Sequence, residues 1–164
     1  AFASGMTHRD SGHISLEELT DKWNTPPEAL PTHLTLDFRS PTAFSLGQDR
    51  ETKAYRIRYQ PDARTLFSAL RNKWKQLGGH EPGIEFDEWV GNCVETEPLW
   101  INLQRVWVEQ RPIDGFVGQV RYSVHGKDVR WLSLLHLLSE LTFWTGVGYQ
   151  TTRGMGQTRV IRGK

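Results

Sequence analysis

The chain of 164 residues carries 20 basic and 19 acidic side chains, and 37% of its residues are hydrophobic. This composition is typical of one globular domain with a sizeable core, and it excludes a disordered or fibrous chain. The formal net charge of +1 does not by itself indicate a nucleic-acid-binding protein. Because no apolar run approaches the roughly 20 residues that span a bilayer, we expect neither a membrane span nor a signal peptide.

Cys93 is the only cysteine. An intrachain disulfide framework and a zinc site built on cysteines are therefore excluded. We expect a cytoplasmic protein with no metal and no other cofactor. The chain opens at Ala1 rather than at a methionine, so we also expect a processed product or a portion of something longer.

Residues 1–32 are predicted to form a lead-in with one short helix and a Pro-rich linker. Residues 1–14 show no periodicity, and Ser15 with Glu18 forms a capping box at the start of "SLEELTDKW". The linker "NTPPEALPTH" predicts a domain boundary between residues 24 and 32. The folded domain then extends over residues 33–164.

The first half of this domain contains one strand, a hairpin or long loop, and one helix. Alternating apolar residues predict the strand at 33–39, and a possible short strand follows at 55–59. Asp62 is suited to cap a helix whose apolar residues recur every three or four positions. Residues 84–98 are predicted to be a short helix plus a loop.

The second half contains two strands, a helix and a last strand. The strands at 100–110 and 115–125 are joined by "RPID", which predicts an antiparallel hairpin. A helix at about 129–144 and the strand "GQTRVIR" complete the order β-α-β-β-α-β. This order predicts an α+β, ferredoxin-like (RRM-like) fold, with a four-stranded antiparallel sheet and two helices on one face.

A glycine-rich loop, "GVGYQTTRGMG", lies between the last helix and the last strand. Its spacing fits neither a Walker A loop nor a dinucleotide fingerprint, and both of those loops precede a helix rather than a strand. Its backbone N–H groups, hydroxyls, arginine and aromatic ring suit phosphates, sugars and unpaired bases. The predicted RNA-binding residues are Gly146, Gly148, Tyr149, Thr151, Thr152, Arg153, Gly154, Gly156 and Arg159. These groups alone do not distinguish an RNA-binding loop from a demanding turn.

Three separated segments resemble one family in the right order. The glycine spacing resembles the C-terminal loop of the RAMP superfamily, and within it the CRISPR-associated endoribonuclease that matures precursor crRNA. "LDFRSPTAF" (36–44) resembles that family's strand followed by a Ser-Pro-Thr turn, and "GFVGQVRYSV" resembles its second hairpin strand. The resemblance covers residues 33–164. It implies a RAMP domain whose partners are CRISPR repeat RNA or precursor crRNA and, as further candidates, other Cas proteins.

The resemblance also implies a chemistry. Such enzymes cleave RNA without a metal: the 2′-hydroxyl attacks the adjacent phosphate, and the products carry a 2′,3′-cyclic phosphate and a 5′-hydroxyl. The family's general base, usually a histidine, normally lies in a first ferredoxin-like unit, for which this chain has no room. We therefore assign no catalytic residue, and we interpret His136, which lies among leucines, as a core residue. RNA binding with little or no cleavage is expected.

Two other functions stay open. A non-catalytic RAMP subunit would hold guide RNA in a crRNA effector complex, and cleavage of repeat RNA would distinguish the endoribonuclease from it. A ferredoxin-like regulatory domain would use the glycine loop only as a turn. Loss of RNA binding on Arg153→Ala would exclude that function.

Overall fold

The computed structural model describes residues 13–24, 30–80, 82–126 and 128–162. Residues 1–12 of the predicted lead-in and 25–29 of the predicted linker lie outside these ranges. The helices are α1 (Leu16–Asn24), α2 (Ala63–Gln76), α3 (Ile84–Cys93) and α4 (Val129–Thr145). The strands are β1 (His33–Thr42), β2 (Phe44–Gln48), β3 (Tyr55–Arg58), β4 (Val94–Val108), β5 (Arg111–Val124) and β6 (Thr158–Ile161).

Four strands form one antiparallel sheet in the order β4-β5-β1-β6. This is the ferredoxin-like arrangement, because β1 lies between β5 and β6 and the β4–β5 hairpin occupies the other side. β2 and β3 form a separate two-stranded hairpin. The predicted fold class is confirmed.

The core lies between one face of the sheet and the helices α2 and α4. Asp62 caps α2 as predicted, accepting a hydrogen bond from the Thr65 N–H at 3.0 Å. Leu66 and Leu70 of α2 are completely buried, as is Leu36 of β1. The periodic apolar residues of α2 therefore face the sheet, as an amphipathic helix requires.

The segment 84–98 agrees with the prediction in its first part and not in its second. Helix α3 occupies 84–93, and its Phe86 and Val90 are buried in the core. Val94–Pro98 belongs to β4 and pairs with β5, so the predicted loop is wrong. The ladder to β5 supplies hydrogen-bond partners that the local sequence does not reveal.

The turn of the β4–β5 hairpin is also different from the prediction. It consists of Glu109 and Gln110, both with positive φ (47° and 65°), as in a two-residue type I′ turn. "RPID" is instead the start of β5. Pro112 is tolerated there because it pairs with Trp107 beside the turn, while β1 pairs with β5 only from Phe116 onward.

Helix α1 packs on α4. The predicted capping box is present, with Ser15 N–H donating to the Glu18 carboxylate at 2.7 Å and Glu18 N–H donating to Ser15 Oγ at 3.0 Å. The Trp23 ring stacks on the His136 ring, with 5.0 Å between centroids. The short helix is thus tied to the domain by an aromatic contact, whereas the proposed boundary at 24–32 stays a prediction.

Candidate nucleic-acid interface

The loop between α4 and β6 folds back onto the corner where β1 ends and β2 begins. Tyr149 N–H donates to the Ala43 carbonyl at 2.7 Å, and Gly156 N–H donates to the Pro41 carbonyl at 3.0 Å. Val147 N–H donates to the Gly156 carbonyl at 2.9 Å and closes the loop on itself. The Ser-Pro-Thr motif lies at the end of β1 rather than in a turn after the strand, and these bonds join it to the glycine loop.

Two of the four loop glycines are required by close approach of the backbone, and a Cβ at a third would be tightly packed. A Cβ at Gly156 would lie 2.0 Å from the Val147 carbonyl oxygen, and one at Gly148 would lie 2.2 Å from the Ala43 carbonyl oxygen. A Cβ at Gly146 would lie 3.0 Å from the Gly156 carbonyl oxygen. Gly154 has a φ of 88° but no atom within 4 Å of such a Cβ. The loop is therefore a compact turn as well as a candidate binding surface.

Most loop N–H groups are used within the fold, so fewer are free than the sequence suggested. In the described part of the chain, the N–H groups of Gly148, Gln150, Thr151 and Thr152 have no acceptor. The last three are consecutive at the start of the 3₁₀ turn Thr151–Arg153, and Gln150 is left-handed with a φ of 57°. Successive N–H groups around a left-handed residue form a concavity that suits an anion.

Lys73 of α2 holds the loop from the side of the core. Its Nζ donates to the Thr145 carbonyl at 3.0 Å, the Gly146 carbonyl at 3.3 Å and Thr151 Oγ1 at 3.1 Å. Burial lowers the pKa of the Lys73 ammonium. Sequence reasoning missed this role, although the position of Lys73 three residues after the buried Leu70 puts it beside the apolar stripe.

The structure does not bring all the predicted RNA-binding residues together. Arg153 lies in the loop and forms an exposed ion pair with Glu109 at the turn of the β4–β5 hairpin. Arg159 instead pairs with Asp37 at 3.2 Å, on the sheet face opposite to the helices. The other predicted residues are all in the loop, while Arg159 belongs to a different surface.

The remaining polar and aromatic groups of the loop differ in exposure. The half-buried Tyr149 ring leans on the Tyr55 ring of β3, with 6.0 Å between centroids. The Thr151 hydroxyl is committed to Lys73. Thr152 is exposed, and its hydroxyl has no partner among residues 13–24, 30–80, 82–126 and 128–162. RNA contacts by these residues stay a prediction.

The histidines in the described part of the chain make their contacts away from the loop. His136 is buried as predicted, and its Nε2–H donates to the Pro31 carbonyl at 2.8 Å. His125 pairs with Glu95 at 2.9 Å on the surface. No described histidine forms a hydrogen bond, ion pair or ring contact with the loop.

The described ranges contain neither a candidate metal site nor a candidate membrane-spanning helix. No three His, Cys, Asp or Glu side chains there come together as a metal site would need. None of the helices in those ranges has the length and apolar character that a membrane crossing needs.

The sheet order and the glycine-rich loop define a ferredoxin-like protein of the RAMP type. The family model of the CRISPR-associated endoribonuclease Cas6 matches residues 36–158, from β1 to the start of β6. The chain belongs to this family. Because the match includes both β1 and the glycine loop, the resemblance identified from three short segments is confirmed.

Solved structures of the family share the fold. Thermus thermophilus Cas6 (TTHB231) is 25% identical with a TM-score of 0.77, covering 94% of this chain and 61% of that one. A product complex of Cas6 (TTHB231) is 24% identical with a TM-score of 0.79, and the match covers 94% of this chain and 58% of that one. A product complex of Cas6 (TTHA0078) is 23% identical with a TM-score of 0.76, and the match covers 96% of this chain and 60% of that one. The chain thus spans about three-fifths of these proteins. No curated protein matches it by sequence.

Proposed function

We propose that this chain is the RNA-gripping C-terminal part of an endoribonuclease that matures precursor crRNA, with CRISPR repeat RNA as its ligand. One observation carries the proposal: the family match spans β1 and the glycine loop, and hydrogen bonds join these two segments into one surface. In this proposal, residues 33–164 are the RAMP domain, other Cas proteins are further partners, and the compartment is the cytoplasm.

The loop grips RNA through its phosphates. The free N–H groups of Gln150, Thr151 and Thr152 offer three donors, and the Arg153 guanidinium supplies the charge. Both side chains of the ion pair between Arg153 and Glu109 are exposed to solvent, so the pair contributes little to stability. A phosphate can therefore replace the Glu109 carboxylate at little cost to the fold.

The reaction that we propose for the whole protein needs no metal. The RNA 2′-hydroxyl attacks the adjacent phosphorus and the bond to the 5′-oxygen breaks. The leaving 5′-oxygen takes up a proton from water or from the protonated base, so a 2′,3′-cyclic phosphate and a 5′-hydroxyl result. A general base takes the proton of the 2′-hydroxyl, and cations stabilise the charge on the phosphate. No residue of this chain is assigned as the general base, because the family resemblance implies a histidine in a first ferredoxin-like unit.

A titration of the chain with labelled CRISPR-repeat RNA at two salt concentrations tests the proposal. We expect binding that weakens with salt, because phosphate contacts release counterions. Arg153→Ala should weaken binding to all sequences alike and lower the salt slope by about one unit. The control is Arg130→Gln, which removes the same charge at the other end of α4, about 24 Å along the helix from the start of the loop. Unchanged binding by Arg153→Ala would leave the glycine loop as a turn.

Glu109→Gln separates a phosphate contact from a structural role of Arg153. If Arg153 binds phosphate, Glu109→Gln removes the carboxylate that competes for Arg153 and should tighten RNA binding, whereas Arg153→Ala should weaken it. If Arg153 only fastens the hairpin to the loop, both variants should weaken binding.

The same samples on a denaturing gel with a chelator report cleavage. We expect none from this chain. Metal-independent cleavage would place the general base within the 164 residues. A full-length protein that binds repeat RNA but never cuts it would instead be a non-catalytic RAMP subunit.

A further inference from the structure

A groove of about 620 Å³ separates α2 from the start of β2 and from residues 148–150 of the glycine loop. We call it the α2 groove. Its volume lies in the range of about 300–1,000 Å³ that is usual for sites that hold small ligands. Among the described residues that line it, two are basic, Arg64 and Lys73, and none is acidic. Its charge suits an anionic ligand.

The α2 side of the groove is a single row of polar side chains. Arg64, Ser68, Asn72 and Gln76 follow one another at intervals of four residues, so they lie on one side of the helix over about 18 Å. None of these four side chains has a hydrogen-bond or ion-pair partner in the described part of the chain. One hydroxyl and two carboxamides are thus left for a ligand. The Arg64 guanidinium lies against Gly91 of α3 but forms no ion pair there, so its charge also stays available.

The opposite side of the groove belongs to the glycine loop. Gly148 and Gln150 line it, and their N–H groups have no acceptor in the described ranges. Tyr149 also lines the groove, and its ring packs against the Tyr55 ring. Lys73 contributes charge but no free donor, because its ammonium is held by three oxygens of the loop.

We infer that the α2 groove binds one unpaired nucleotide of the RNA. The base stacks on Tyr149, its edge meets the carboxamides of Asn72 and Gln76, and its phosphate pairs with Arg64. Aromatic rings and hydrogen bonds to base edges are the groups that read splayed-out bases, whereas a paired base hides its edge in the duplex. The inference rests on the proposed function, since it adds a base-reading subsite beside the phosphate-binding loop.

The test is a set of repeat RNAs in which each unpaired nucleotide is replaced in turn by an abasic one. We expect one position at which the replacement weakens binding by the wild-type chain about tenfold. Asn72→Ala should weaken binding to intact RNA, and the abasic replacement at that position should then weaken binding much less than it does in the wild type. Arg64→Ala should lower the salt slope by about one unit. Arg130→Gln should behave as the wild type in every assay.

Ser68→Trp fills the groove from α2 and should reproduce the loss seen with Asn72→Ala. Thermal melting checks that each variant is folded, and Asn72 is exposed, so its truncation should leave the melting temperature unchanged.

The possible outcomes separate this inference from the proposed function. If the wild type binds RNA through Arg153 but Asn72→Ala keeps full sensitivity at every position, the subsite is refuted and the RNA-gripping role stands. If the wild type binds no RNA, both fail. Free AMP, GMP, CMP and UMP form a second arm. A mononucleotide that binds tightly while RNA binding ignores Asn72→Ala would assign the groove to a free nucleotide and overturn the inference.

Discussion

Adding one methyl group at two glycines of the same loop should have very different effects. Gly154 and Gly156 both have positive φ, 88° and 73°. Alanine is therefore strained at both positions, and at both it also reduces the entropy of the unfolded chain. Each of these contributions has nearly the same size in the two variants. The difference in stability between Gly156→Ala and Gly154→Ala therefore reports the surroundings of the added Cβ.

The surroundings differ sharply. At Gly154 no atom lies within 4 Å of the added Cβ, so only the backbone strain of about 1 kcal/mol remains. At Gly156 the Cβ would lie 2.0 Å from the Val147 carbonyl oxygen, so the two segments must move apart. That movement stretches the hydrogen bond from the buried Val147 N–H to the Gly156 carbonyl. An unmade bond of a buried donor costs about 1–3 kcal/mol, so Gly156→Ala should cost about 2–4 kcal/mol in total.

Urea unfolding monitored by tryptophan fluorescence measures both free energies. For a chain of this size, a difference of about 1–3 kcal/mol between the variants corresponds to roughly 2–12 °C in melting temperature. Gly148→Ala should resemble Gly156→Ala, because its Cβ would lie 2.2 Å from the Ala43 carbonyl oxygen. Equal destabilisation by Gly154→Ala and Gly156→Ala would refute the argument from close approach.

Three further results are expected. Lys73→Met should lower the free energy of unfolding by about 1–3 kcal/mol in a urea titration, because three hydrogen bonds to the loop disappear. Burial lowers the pKa of His136, so its stabilising effect is present above the ordinary pKa of about 6.5 and is lost as the pH falls through the folded-state value. Melting curves should show a steeper acid loss for the wild type than for His136→Phe, and equal losses would contradict this. Leu138→Ala, at a completely buried position, should cost about 2–5 kcal/mol, whereas Trp107→Ser, at 70% exposure, should change the free energy of unfolding by less than about 0.5 kcal/mol.

The elements that the sequence predicted well are those whose signals are local. The capping box of α1, the Asp62 cap of α2 and the apolar stripe of α2 each involve residues a few positions apart. The turn of the β4–β5 hairpin was missed for the converse reason. Glu109 and Gln110 carry no turn signal of their own and adopt positive φ because the two long strands impose it. The short segment "RPID" was therefore wrongly predicted as the connection.

For the candidate site, the sequence by itself determined that the loop is rich in glycine, that it follows the last helix, and which family it resembles. Only the tertiary structure decided which of its groups remain free. Pro41 and Ala43 take up loop N–H groups from more than 100 residues away along the chain, and Lys73 takes up loop oxygens across the helix pair. The spacing of the glycines indicates where the backbone is closely approached by other atoms or adopts a positive φ. Which atoms approach it depends on which distant segments the packed core brings within hydrogen-bond distance.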